Sequence, residues 1–139
     1  MTINVLFICL GNICRSPMAE AIFQQLVDEA GLTDKFRIDS AGTGSWHIGE
    51  KAHPGTRRIL TDHAIPYNGR SRQINHADNT PNTYLIAMDE SNLSDLNRAF
   101  GKREKTYRLL DFATQTNEEN VPDPYYVGGF DYVYSLVED

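Results

Sequence analysis

The sequence predicts an α/β fold: a single domain of four parallel strands with helices on both faces of the sheet. Three observations predict it. Apolar segments of strand length alternate with segments of helical period along the whole chain. The first of them, residues 3–10 (INVLFICL), is apolar almost without interruption and rich in β-branched side chains, as in a strand buried on both faces. A chain of 139 residues is also long enough for one hydrophobic core without staples. Successive parallel strands then require right-handed crossovers.

The elements follow in order. After the first strand, Ser16 and Pro17 read as a capping serine and a proline at the first helical position. Met18, Ala21, Ile22, Leu26 and Ala30 keep helical spacing, and Gly31 stops the helix. Residues 36–41 (FRIDSA) alternate as a second strand. Gly42, Gly44 and Gly49 mark a loop that carries Trp46 and His47. Residues 54–63 read as a helix opened by Pro54, and 65–73 as irregular or a short strand. Residues 84–88 (YLIAM) form a third strand, and 89–100 a helix capped by Asp89 or Ser91 and ended by Gly101. Residues 105–110 read as a weaker edge strand, and 114–126 as a polar loop ending in Pro122, Asp123 and Pro124. Phe130, Val133, Tyr134 and Val137 begin a final amphipathic helix. There is no internal repeat, low-complexity tract or linker.

Charge and composition narrow the function classes. A net charge of −6 argues against a general nucleic-acid binder, though an anion site depends on the local field. No apolar run approaches the roughly 20 residues of a membrane span. The first apolar stretch has no basic flank and is too short for a secretory signal, so a cytoplasmic location is expected, with no membrane partner. Two cysteines, Cys9 and Cys14, are too few for a disulfide framework. The four histidines show no metal-ligand spacing with them and read as surface or packing residues.

The loop between the first strand and the first helix carries the chemistry. In open parallel sheets ligands bind at the carboxyl ends of the strands. A loop leaving a buried strand for a helix turns backbone N–H groups toward one spot, and the helix N-terminus adds its positive end. Arg15 adds a planar fork suited to two phosphate oxygens. Gly11 permits a tight or left-handed turn, and Asn12 tolerates one. Cys9 stands at the floor of this phosphate-binding loop, and a field that holds an anion also stabilises a thiolate. The nucleotide-binding P-loop is excluded, because its lysine before Ser or Thr and its glycine pattern are missing. A dinucleotide fingerprint fails for the same lack of glycines. The plainer alternative is a buried structural thiol beside a surface arginine.

Residues 9–17 (CLGNICRSP) resemble the signature of the low-molecular-weight protein tyrosine phosphatases. Further matches are Asp39-Ser40-Ala41-Gly42, residues 87–92 (AMDESN) and residues 121–126 (VPDPYY). The resemblance implies hydrolysis of phosphotyrosine in proteins, without a cofactor, by a domain covering 1–139. It makes Cys9 the nucleophile of a phosphocysteine intermediate, Arg15 the phosphate ligand and Asp123 the general acid and then base. A carboxyl flanked by prolines on a long loop suits that role, although aspartate before proline is also a common turn residue. Leu10, Gly11, Asn12, Ile13, Cys14 and Ser16 would line the phosphate, with Ser16 bonding the thiolate. Trp46, Tyr125 and Tyr126 would wall a slot for a phenyl ring, or else pack in the core. Ser40 would support the loop. Asp89 would be an inner carboxylate or simply a helix N-cap. Cys14 would pair reversibly with Cys9 against deeper oxidation, or fill apolar space.

The departures from the family pattern bear on function. Arsenate-reducing relatives need cysteines this chain lacks. Relatives acting on phosphoarginine carry threonine where Ile13 stands, so Ile13 favours phosphotyrosine. The family usually ends in a longer helix, and a shortened one would expose sheet surface, leaving a monomer or a weakly self-associating protein. Phosphotyrosine-containing proteins, and a cognate tyrosine kinase, are the expected partners. Two rival classes are a silent phosphopeptide-binding module, which needs no Asp123, and a thiol switch, which needs only Cys9 and Cys14.

Overall fold

The computed structural model describes residues 2–45, 47–101, 105–113, 118, 120–122, 124, 129, 133–134 and 136–137. Four strands, β1 (Ile3–Cys9), β2 (Phe36–Gly42), β3 (Thr83–Ala87) and β4 (Thr106–Arg108), form one parallel sheet in the order β2-β1-β3-β4. Three helices, α1 (Arg15–Glu29), α2 (Pro54–Asp62) and α3 (Glu90–Phe100), connect them. The expected α/β class, parallel sheet and flanking helices are thus present.

Side-chain alternation along β1 divides the core. Val5, Phe7 and Cys9 face Met18 and Ile22 of α1, Ile59 and Leu60 of α2, and the helical residues Val133, Tyr134, Leu136 and Val137. Leu6 and Ile8 face the other way, onto Ala41, Leu85, Ala87 and Leu96 of α3. This two-sided burial is why residues 3–10 read as a continuous apolar run. Burial of each such aliphatic side chain contributes about 1.5–3 kcal/mol.

Several boundaries differ from the sequence reading. α1 starts at Arg15, so Ser16 is its second residue and Pro17 its third. Cys14 occupies the N-cap position without a side-chain cap. Ser16 does not cap because its hydroxyl is engaged with Cys9 and Asn12. Proline is tolerated one turn inside because that N–H has no helical partner anyway. At the other end, Leu32 N–H bonds Val27 O at 2.9 Å and Gly31 N–H bonds Asp28 O at 3.1 Å, closing the last turn. The edge strand is shorter than residues 105–110. Asp111 Oδ2 accepts from Arg108 N–H at 2.9 Å and turns the chain into a short 3-10 helix, Leu109–Phe112. Asp89, not Ser91, caps α3.

A groove of about 510 Å³ lies over the α1 side of the sheet, lined by Val5, Phe7, Tyr84 and Ile86 among others, with Ile3, Leu26 and Phe112 exposed beside it. Among the described residues no helix is long and apolar enough to cross a membrane.

Candidate active site

Residues 10–14 join the interior strand β1 to α1. The carbonyls around this loop are held from outside. Cys9 O accepts from Thr43 N–H (3.0 Å), Leu10 O from Gly44 N–H (2.8 Å), and Ile13 O from His53 N–H (2.7 Å). Gly11 O accepts from Ser71 Oγ (2.9 Å) and Cys14 O from Thr56 Oγ1 (3.1 Å). In a trans peptide the N–H points opposite to the C=O, and the described chain has no cis bond. Five carbonyls pinned outward therefore turn the N–H groups of Leu10, Gly11, Asn12, Cys14 and Arg15 inward. With the first turn of α1 behind them, these groups form an anion nest.

The left-handed residue of the loop is Asn12, at φ 57°, rather than Gly11. Gly42, at the end of β2, matters for a different reason. A Cβ there would lie 2.8 Å from Leu10 O and 3.1 Å from Asn12 N, so only glycine lets β2 come this close to the loop.

Cys9 is 3% exposed, and its sulfur is met by two donors. Asn12 N–H donates to Sγ at 3.2 Å, and Ser16 Oγ lies 3.0 Å away. The Asn12 side chain sets the direction of the second contact. Its Oδ1 accepts from Arg72 N–H (3.0 Å), which fixes the amide orientation. Its Nδ2 then donates to both Ser16 Oγ and Ser40 Oγ, each at 2.9 Å. Ser16 accepts from Asn12, which leaves its single proton available to the sulfur.

Arg15 is 2% exposed. Its Nη1 donates to Asp89 Oδ2 at 2.5 Å and to Val121 O at 2.8 Å. Asp89 serves both alternatives weighed from the sequence: Oδ1 caps α3 through Asn92 N–H (2.8 Å) while Oδ2 pairs Arg15. Val121 N–H in turn bonds Met88 O at 2.9 Å. Arg72 forms a bidentate pair with Asp78 and also bonds Asp39, anchoring the segment that orients Asn12. These carboxylates raise its guanidinium above the usual value, hydrogen bonding to Asp78 first.

The structure thus gathers Cys9, Gly11, Asn12, Ile13, Cys14, Arg15, Ser16, Ser40 and Asp89 around one loop, with Leu10 half exposed at its edge. Trp46, Asp123, Tyr125 and Tyr126 lie outside the described residues. Cys9 and Cys14 are both buried and not joined in a disulfide. Among the described residues no three His, Cys, Asp or Glu side chains are grouped to hold a metal. Sequence reasoning missed Thr43, His53, Thr56, Ser71 and Arg72, which hold the loop from distant segments. No local pattern marks them, since each acts through one hydrogen bond across the fold.

A buried thiol under a ring of backbone N–H groups, beside a buried arginine at a strand–loop–helix junction, makes a candidate anion site on an α/β sheet. The chain belongs to the low molecular weight phosphotyrosine protein phosphatase family, whose sequence profile matches residues 4–139. It is 46% identical to the low molecular weight protein-tyrosine-phosphatase YfkJ of Bacillus subtilis over 139 residues, covering 98% of this chain and 89% of that protein. The crystal structure of YfkJ superposes with a TM-score of 0.93 over 99% of this chain and 89% of that one. A protein tyrosine phosphatase from Entamoeba histolytica, crystallised with Hepes in the active site, is 37% identical with a TM-score of 0.91, covering 99% and 91% of the two chains. The drosophila arginine phosphatase DARP is 34% identical with a TM-score of 0.88, covering 96% and 90%.

Proposed function

We propose that this protein hydrolyses phosphotyrosine in proteins through a phosphocysteine intermediate. The observation that supports it most is the arrangement at Cys9, a sulfur with two donors on it inside a ring of inward N–H groups. In the first step the Cys9 thiolate attacks phosphorus in line. The S–P bond forms as the ester P–O bond breaks, and Asp123 gives its proton to the leaving phenolate. In the second step water attacks phosphorus, Asp123 takes a proton from it, and the S–P bond breaks to release phosphate and the thiolate. The loop N–H groups and Arg15, its guanidinium set by Asp89 and Val121, stabilise the charge on the transferring oxygens. Ser16 stabilises the thiolate as it leaves. These groups supply nucleophile, charge and proton, so the reaction as proposed needs no metal.

The role of Asp123 rests on the family resemblance of residues 121–126. Val121, two residues before it, is buried against Arg15 and Met88. Trp46, Tyr125 and Tyr126 wall the phenyl slot, and Ile13 in the loop favours phosphotyrosine over phosphoarginine. Cys14 serves as a reversible disulfide partner for Cys9 under oxidation, in a cytoplasmic setting. The test is turnover of p-nitrophenyl phosphate, a phosphotyrosine peptide and phosphoarginine in the presence of EDTA. Turnover of the two aryl esters, abolished by Cys9→Ser and strongly lowered by Asp123→Ala, is the expected result. Preferential cleavage of phosphoarginine, or turnover that survives Cys9→Ser, would overturn it.

A further inference from the structure

We propose that Glu20 is a positioning residue for Cys9: held by Tyr67, it orients the Ser40 hydroxyl and, through Ser40, the Asn12–Ser16 pair that meets the sulfur. This rests on Cys9 being the nucleophile.

The hydrogen bonds run in one direction. Glu20 Oε1 accepts from Ser40 Oγ at 2.6 Å and from Tyr67 Oη at 3.1 Å. A serine hydroxyl has one proton, so Ser40, donating to Glu20, meets Asn12 Nδ2 with a lone pair. Asn12 Nδ2 has two protons, one for Ser40 and one for Ser16. Ser16, accepting from Asn12, has its only proton left for Cys9. An acceptor at the Glu20 end thus gives every hydroxyl in the series a single orientation. Remove it, and the Ser40 proton loses its acceptor and competes with the Asn12 N–H. The line passes from α1 through β2 and the loop, returns to α1 at Ser16 and ends on β1, which no sequence spacing reveals.

The Tyr67 contact has its own steric provision. A Cβ at Gly69 would lie 2.4 Å from Tyr67 Oη and 2.7 Å from Cζ. The phenol therefore occupies the place a side chain at 69 would take, and any larger residue there pushes the hydroxyl away from Glu20. Burial raises both partners above their ordinary values, a sign that the carboxyl and the phenol are held in place despite a desolvation cost.

The test compares Glu20→Gln, which keeps an acceptor, with Glu20→Leu, which keeps the size without one. Each is assayed for kcat and KM on p-nitrophenyl phosphate and for the rate of Cys9 alkylation by iodoacetamide, read on the Cys9 peptide by mass spectrometry. Glu20→Gln should stay within about twofold of wild type. Glu20→Leu should lose about two- to tenfold in kcat, the span of one hydrogen bond, with KM unchanged and alkylation slowed in step. Wild-type kcat and alkylation in Glu20→Leu, or a Gln variant as slow as Leu, would overturn the proposal. Should Glu20→Leu not fold, Tyr67→Phe and Gly69→Ala decide it: both should lower kcat and alkylation in the same direction, and two unchanged variants would refute it. A wild-type protein without turnover would count against the phosphatase reading, whereas the alkylation comparison still decides the positioning role.

Discussion

Asn12 holds three side-chain hydrogen bonds and a left-handed backbone, and substitutions can separate the two contributions. At ~1 kcal/mol per neutral bond, removing all three costs about 3 kcal/mol of stability. Wild-type Asn12 already carries a Cβ in the left-handed region, which costs an ordinary residue about 1–2 kcal/mol, and Gly escapes that strain. Asn12→Ala should therefore lose about 3 kcal/mol and Asn12→Gly about 1–2 kcal/mol. Asn12→Asp keeps the acceptor for Arg72 N–H but turns both donors into acceptors facing Ser16 and Ser40. It also sets a negative charge beside the sulfur of the proposed nucleophile. It should be the slowest of the three, with kcat down at least about a hundredfold, since a lost donor and an added repulsion each cost on the order of tenfold. Urea unfolding and p-nitrophenyl phosphate kinetics on the three variants read these effects. Asn12→Gly as stable as wild type, or Asn12→Asp as active as Asn12→Gly, would refute the roles given to this side chain.

Asp89→Asn keeps a capable helix cap but removes the countercharge of a buried arginine. Because the Asp89 side chain is 22% exposed, the expected loss is about 2–4 kcal/mol in urea unfolding rather than more, and an unchanged midpoint would contradict the pairing. Gly42→Ala drives a methyl into the backbone of the loop, which has no rotamer by which to turn aside. It should cost about 1–3 kcal/mol and lower kcat at least about tenfold, and normal kinetics would show the loop can move. The Glu20 carboxyl is raised above its ordinary value, chiefly by burial and then by Asp39, with the Ser40 and Tyr67 hydrogen bonds and Arg72 opposing. The native state therefore holds this proton more tightly than the unfolded chain does. Its contribution is fully present below the unfolded value and is lost as pH rises through the folded one. Glu20→Gln has no such loss, so its melting temperature relative to wild type should climb as pH rises from about 4.5 through neutrality. A constant difference across that range would mean the carboxyl titrates alike in both states.

The parts of this fold readable in the sequence are those with a period or a local stop. Residues 3–10 declared a two-sided strand because both β1 faces meet apolar layers. Gly31 and Gly101 marked helix ends because both adopt positive φ. The start of α1 departs from its local sequence signal for the opposite reason. Ser16 has the identity of a cap, yet its hydroxyl is committed to Cys9, a tertiary contact that overrides the local preference. At the site, residues 9–16 are contiguous, so their grouping was open to inspection. What holds them is not contiguous. Ser71, Thr56 and Arg72 lie far along the chain and each contributes one bond, and the Glu20–Tyr67 contact depends on a glycine two residues further on. Such pairings follow from three-dimensional closure and leave no trace in composition or spacing.

The central claim is that phosphate passes through the Cys9 sulfur. It is tested most directly by acid-quenching the protein during turnover of an aryl phosphate and measuring the mass of the Cys9 peptide. One phosphoryl group should appear on Cys9 and accumulate further in Asp123→Ala, where the second step lacks its base. Product released at the normal rate while the Cys9 peptide stays unmodified at every quench time would contradict the account.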